Sequence, residues 1–341
     1  MSFKLSLLLA FSTASLSLAC APAGGGAEDE QEEVSVAQSA LAAANASYMN
    51  GTQVNGTFHN GVRHNGVRHN GVRHNGVRHN GVGLEGERED NGVTVSGTGY
   101  AGVDLEGELG DSTVETVHIE SVSDSDVPGM NTYELTFGGV NICGSSGARA
   151  LILPGRWDFE AASYIEDATK FTIACRGAAI AKCTEWGYES WGGWTENNGS
   201  ATQLVAGRHF QEACTRMVRA DYCGDGVSHT ENGTAIEVYD TAGFQTETPG
   251  NTMPLEAEWS ASGASCVKHV RWTATTANPN QTVEDYIDEH CPSVWAGPTS
   301  TSCGGATSEY FTANGFTSSP THVAPHATRP LLRNASDQHT H

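Results

Sequence analysis

Four perfect tandem copies of His-Asn-Gly-Val-Arg run from His59 to Arg78, and a degenerate copy follows from His79 to Gly83. In the frame Asn-Gly-x-x-x the array holds seven units, from Asn50 to Leu84. A five-residue period suits neither common element. In a strand, a step of five lands on the opposite face. In a helix it turns about 500°, which leaves successive histidines about 140° apart, and a glycine in every unit weakens helix further. His59, His64, His69, His74 and His79 therefore make no regular ladder on one face. A metal role for them reduces to weak chelation of Zn²⁺ or Cu²⁺ by neutral imidazoles. Two architectures are left: a spacer, or a short four-sided β-solenoid with one unit per side. The solenoid needs an apolar side chain pointing inward from each unit. Val54 and Leu84 fill that slot at the ends, but histidine fills it in the middle. Seven units also make fewer than two turns, short of about three stacked units. The spacer is the better fit.

The front of the chain points to export. Lys4 precedes an apolar run, Leu5 to Leu9, which continues to Ala19-Cys20, so residues 1–19 are expected to be a signal peptide. Cleavage before Cys20 would leave a cysteine to carry lipid and anchor the protein to a membrane. Cleavage after Ala21 would release it. Residues 20–49 carry Gly24-Gly25-Gly26 and the run Glu28-Asp29-Glu30-Gln31-Glu32-Glu33, an acidic, solvated tether. The net charge of −22 argues against nucleic acid as a partner. The array opposes that sign, with four arginines and no acid between residues 50 and 84.

Eight cysteines follow the array: Cys143, Cys175, Cys183, Cys214, Cys223, Cys266, Cys291 and Cys303. An even number in an exported chain implies up to four disulfides, whose pairing the sequence leaves open. The array region runs to about residue 90, a domain spans 91–316, and a Pro-, Ser-, Thr- and His-rich tail from 317 is expected to be loose. Alternating patterns predict strands at 93–95, 100–105, 114–121, 133–137, 151–153, 170–175, 235–239, 255–259 and 266–272. Helical stripes cover 178–188 and 208–222, the latter stopped by Gly224. Thr282-x-x-Asp285 opens a third helix with Val283, Tyr286 and Ile287 on one side. Strands, then helices, then strands predict a single disulfide-stabilised α+β domain.

The segment Cys214 to Thr230 contains Ala220-Asp221-Tyr222-Cys223. With Ala181-Lys182-Cys183, Trp186-Gly187-Tyr188, Gly233-Thr234 and Trp259 to Trp272 around Cys266, it closely resembles the ADYC-domain proteins, exported bacterial proteins abundant in myxobacteria. The resemblance covers about 140–295. It implies a compartment and boundaries but no chemistry, because the family carries no established activity.

Two roles compete for the same residues. His209, Asp221, Asp225 and His229 are acids, bases or ligands by type, and a hydrolase would hold them around one cleft. Asp221-x-Cys-x-Asp225-Gly226 is similar to a calcium loop, but cysteine replaces an oxygen ligand and no closing glutamate follows. No nucleophile elbow or zinc-protease motif is present. The simpler account has a helix ending at Tyr222, Cys223 in a disulfide, and Asp221 bonded at the helix end or paired with Arg216 or Arg219. Trp186, Tyr188, Trp191 and Trp194 form a third constellation, either core and rim or a glycan-stacking surface. The expectation is a non-catalytic envelope or secreted protein for binding or display, with no cofactor. Its partners would be a membrane through Cys20 and a protein or glycan.

Overall fold

The computed structural model describes residues 60–340 apart from 64–67, 70–71, 80–81, 89–92, 109–113, 159–162, 168–169, 198–201, 241–243, 246–247, 249, 275–280, 300–302 and 304–329. The expected signal peptide and tether, with Cys20, and His59 and His64 lie outside the described residues. So do the side chains of His69, His74 and His79.

Period-2 alternation builds the first half. The strands are β1 (Asn60–Arg63), β2 (Arg68–His69), β3 (Val72–His79), β4 (Leu84–Arg88), β5 (Thr94–Ser96), β6 (Val103–Glu108), β7 (Val114–Val127), β8 (Met130–Phe137), β9 (Val140–Asn141) and β10 (Ala150–Pro154). A separate hairpin of β11 (Arg156–Asp158) and β12 (Ser163–Ile165) precedes β13 (Lys170–Cys175). Apart from that hairpin these strands form one antiparallel sheet, in the order β1-β13-β10-β8-β7-β6-β2-β3-β4-β5, with β9 on β8. β1 also meets β6 at Val62↔Gly107, so the first six strands of that path close in a ring.

One parity of residues faces inward: Val103 and Leu105, Val117 and Ile119, Tyr133 and Leu135, Ala150 and Ile152, Phe171 and Ile173. The other parity of β10 and β13, with Leu151, Leu153 and Ala174, packs with Trp157, Ile180 and Ala181 in a second layer. That two-sided burial explains the unbroken apolar run at 151–153.

The array departs from expectation. Its described units are strands of this sheet. They pair antiparallel, where rungs of a solenoid would stack in parallel, which corrects the short-solenoid reading. The spacer reading is corrected as well, because β1 joins β13 and β2 joins β6 of the domain. The physical reason lies in Asn-Gly. His69 pairs with Val72, and the two residues between them in sequence are Asn70-Gly71, the dipeptide that favours two-residue hairpins. Inside β3 the next Asn-Gly coincides with a register shift between Asn75 and Arg78.

The second half holds α1 (Ala179–Glu185), the hairpin β14 (Gly193–Asn197) and β15 (Thr202–Ala206), α2 (Gly207–Arg219), β16 (Glu237–Asp240), β17 (Leu255–Ser260), β18 (Gly263–Val267), α3 (Val283–His290) and β19 (Leu332–Ala335). A four-stranded antiparallel sheet, β16-β19-β17-β18, carries α2 and α3 on its core. The capping box forms as predicted. Asp285 N–H donates to Thr282 Oγ1 at 3.0 Å, and Thr282 N–H donates to Asp285 Oδ2 at 3.3 Å.

The loose-tail expectation is corrected at its end. β19 lies between β16 and β17, and Leu331, Leu332, Asn334, Ala335 and Ser336 are buried. The α+β expectation is met only in part: the described chain is mostly β, with three short helices.

Four disulfides form: Cys143–Cys175, Cys183–Cys214, Cys223–Cys291 and Cys266–Cys303. They place the protein in an oxidising, extracytoplasmic compartment. No helix among the described residues is long and apolar enough to cross a membrane.

Candidate functional site

The ADYC tetrapeptide sits where α2 ends, and each of its residues has a separate structural reason. Ala220 adopts the left-handed conformation, φ 52°, the one positive-φ non-glycine among the described residues. Its N–H reaches Met217 O at 3.1 Å, and Asp221 N–H reaches Arg216 O at 2.9 Å. This is a Schellman stop. The site is fully buried, so only a small side chain fits. The helix thus ends before Gly224, the predicted stop. Gly224 is needed for a different reason: a Cβ there would lie 1.8 Å from Ser262 O.

Asp221 is fully buried. Its Oδ2 accepts from Arg216 Nη1 at 2.8 Å and Gly226 N–H at 3.0 Å, and its Oδ1 accepts from Asp225 N–H at 3.0 Å. Burial raises its pKa against the pull of Arg216 and Arg219. Cys223 bonds Cys291 and ties this loop to the end of α3. Tyr222 stacks on Trp259, 5.4 Å between centroids. Its hydroxyl donates to Glu256 Oε1 at 2.9 Å and accepts from Arg271 N–H at 3.2 Å.

Glu256 and Arg271 are the centre of this half. Both side chains are 0% exposed, with Arg271 Nη2 2.6 Å from Glu256 Oε1. Arg271 Nη2 also donates to Met217 O at 2.9 Å, so a buried cation caps the negative end of α2. Asn334 of β19 completes the network. Its amide donates to Glu256 Oε2 at 2.6 Å, and its carbonyl accepts from Trp259 Nε1 at 2.7 Å.

A second group lies on the outer side of the motif. Asp225 Oδ2 accepts from the Tyr286 hydroxyl at 2.7 Å, and burial, with that bond, raises the tyrosine's pKa. The Tyr286 ring lies 4.4 Å from His229 and 4.1 Å from His290. His229 is 2% exposed, and neither ring nitrogen has a hydrogen-bond partner among the described residues. Burial lowers its pKa to about 4, against the pull of Asp225. A histidine lowered this way stays neutral in the fold while the unfolded chain protonates near 6.5. Stability is therefore intact above pH 6.5 and falls as pH drops towards 4, by about 3 kcal/mol in all. Urea midpoints at pH 7 and pH 4.5 should show this fall in the wild type. His229→Phe, which keeps the stack, should flatten it.

Of the four predicted acid–base residues, Asp221, Asp225 and His229 come together in one loop. His209 does not. It lies in the first turn of α2, at the far end of a 13-residue helix, with Nδ1 3.8 Å from Glu212 Oε2. The aromatic constellation also separates. Trp186 and the fully buried Tyr188, whose hydroxyl donates to Asp240 at 2.7 Å, join the core around α2. Trp191 packs on the layer under α1. Trp194 lies in β14, and its side chain is outside the described residues.

Sequence reasoning missed Lys182. It is 5% exposed, its Nζ has no hydrogen-bond partner among the described residues, and burial lowers its pKa to about 8. The unfolded amine holds its proton to about 10.4. The wild type should therefore gain stability as pH rises from 8 towards 10. At neutral pH, Lys182→Met should add about 2–3 kcal/mol by removing a buried cation that the pull of Glu185 only partly offsets. Denaturant melts of both proteins at pH 7 and pH 10 measure the difference, which should shrink at the higher pH.

A sequence profile of the ADYC domain matches residues 97–273. No curated protein and no solved structure matches the chain.

Proposed function

The chain belongs to the ADYC-domain family, and on that premise we propose that it is a non-catalytic exported protein whose ADYC domain serves binding or display at the cell envelope. One observation carries this reading. The side chains that define the motif are engaged internally. The Asp221 carboxylate serves Arg216 and the Asp225–Gly226 backbone, Tyr222 serves Glu256, and Cys223 is a disulfide. A carboxylate fixed in this way is a loop organiser. It has no geometry left for a substrate proton.

A panel of chromogenic ester, glycoside, amide and phosphate substrates offered to the oxidised protein should show no turnover. Asp221→Asn should lower stability by about 2–3 kcal/mol, as expected for a broken buried ion pair that keeps one acceptor. Turnover that disappears in Asp225→Asn at unchanged thermal midpoint would overturn the reading in favour of a hydrolase around Asp225, Tyr286 and His229. Anchoring is proposed through a lipid on Cys20. Palmitate labelling of wild-type cells should disappear in Cys20→Ser, and labelling that persists in the variant would refute it.

A further inference from the structure

The four disulfides differ in burial. Cys183 and Cys214 are fully buried, Cys143 and Cys175 are 8% and 2% exposed, and Cys266 pairs with a buried Cys303. Cys223 and Cys291 are both partly exposed, and His290 and Pro292 on either side of Cys291 are exposed. Thiol exchange needs access to a sulfur, so an incoming thiolate meets this bond first.

The same bond holds down α3. That helix puts only Val283 and Ile287 into the core, while Glu284, Asp285, Asp288, Glu289 and His290 are exposed. Its first turn is fastened to the backbone, with Val283 N–H donating to Thr273 O at 3.0 Å. Beyond the helix the chain is fastened again, where Ala296 N–H donates to Val267 O at 2.8 Å. Between those points the Cys223–Cys291 bond and the Tyr286–Asp225 hydrogen bond tie it to the ADYC loop. The rings of Tyr286 and Tyr222 lie 4.4 and 6.1 Å from that of the buried His229. Both imidazole nitrogens lack a partner among the described residues, so the closed arrangement forgoes hydrogen bonds that water would restore.

We propose that Cys223–Cys291 is an exchangeable lock, and that a dithiol which opens it frees α3 as a lid over His229. A thiolate of the dithiol attacks Cys291 Sγ. The S–S bond breaks, and its electron pair leaves on Cys223 Sγ and not on the residue that caps the negative end of α3. The second thiol of the donor then displaces Cys291. The donor ends as a disulfide, having supplied two electrons and two protons, and both cysteines end as thiols. Reclosure is the reverse exchange with a disulfide donor.

The test treats the full-length oxidised protein with dithiothreitol in native buffer, blocks free thiols with iodoacetamide and maps the peptides. Cys223 and Cys291 should be alkylated about tenfold faster than any other pair. Hydrogen exchange across 284–290 should then speed up about tenfold, with α2 unchanged. Diethyl pyrocarbonate should begin to modify His229, while the exposed His290 reacts before and after. Reoxidation should restore slow exchange in α3. The double variant Cys223→Ser, Cys291→Ser should show the open pattern without reductant, and if it does not fold the partly reduced wild type decides alone. A different pair opening first would overturn the proposal. So would an opened bond that leaves α3 and His229 protected, or one whose opening removes the near-UV circular dichroism of the whole domain.

Discussion

Arg271→Met should cost the protein about 3–5 kcal/mol. The side chain is 0% exposed, and its guanidinium makes three contacts of 3.0 Å or less with Glu256. It also reaches Met217 O and, at 3.4 Å, Val218 O at the end of α2. Methionine fills similar volume but leaves a buried carboxylate with only the Tyr222 hydroxyl and the Asn334 amide. Two further results separate lost charge pairing from lost packing. The double variant Arg271→Met, Glu256→Gln should recover part of the loss, because a neutral amide needs no counter-charge. In the single variant the carboxylate's charge is buried without its counter-charge, so the loss should be smaller at pH 4 than at pH 7. Urea midpoints at pH 4 and pH 7 measure both effects. A single-variant loss under about 1 kcal/mol would mean that this pair does not hold α2 to the sheet.

Much of this half was legible because its signals are local. The capping box at Thr282 and the strand at 170–175 follow from short patterns, and both form as read. The stripe Phe210, Ala213, Cys214, Met217 and Val218 faces the core. Even cysteine counting needs no partner.

What escaped was non-local. In Leu-Glu-Ala-Glu-Trp the alternation suggests a solvent face, yet Glu256 and Glu258 are both buried. Their partners Arg333 and Asn334 lie 75 and 78 residues further along the chain, and no window holds both ends of that pairing. The helix stop fell at Ala220, because a buried left-handed alanine lacks the glycine signature. In the array, Asn-Gly was the readable hairpin signal. The scarcity of apolar residues in the array hid it, because a period-2 apolar alternation is the usual strand signal.

Deleting residues 330–341 should abolish cooperative folding of the second half, although the family match ends at residue 273. The reason is topological. β19 is an interior strand, so its loss strips β16 of its only partner in the sheet and opens one edge of β17. Leu331, Leu332 and Ala335 leave the core at 0% exposure. Truncating one buried leucine to alanine already costs about 2–5 kcal/mol, and whole domains are stable by about 5–15 kcal/mol. Asn334 and Arg333 go as well, leaving Glu256 and Glu258 buried with fewer donors and the Trp259 indole without its acceptor. Near-UV circular dichroism and trypsin resistance of the truncated chain should both collapse. Leu332→Ala should give a graded loss of about 2–5 kcal/mol in a chain that still folds. A synthetic peptide of residues 329–341 added to the truncated chain should restore part of the near-UV signal by re-pairing with β16 and β17. If the truncated chain instead melts within a few degrees of the full one, β19 is not part of the folding unit, and Arg271 and Tyr222 suffice to hold the buried carboxylate of Glu256.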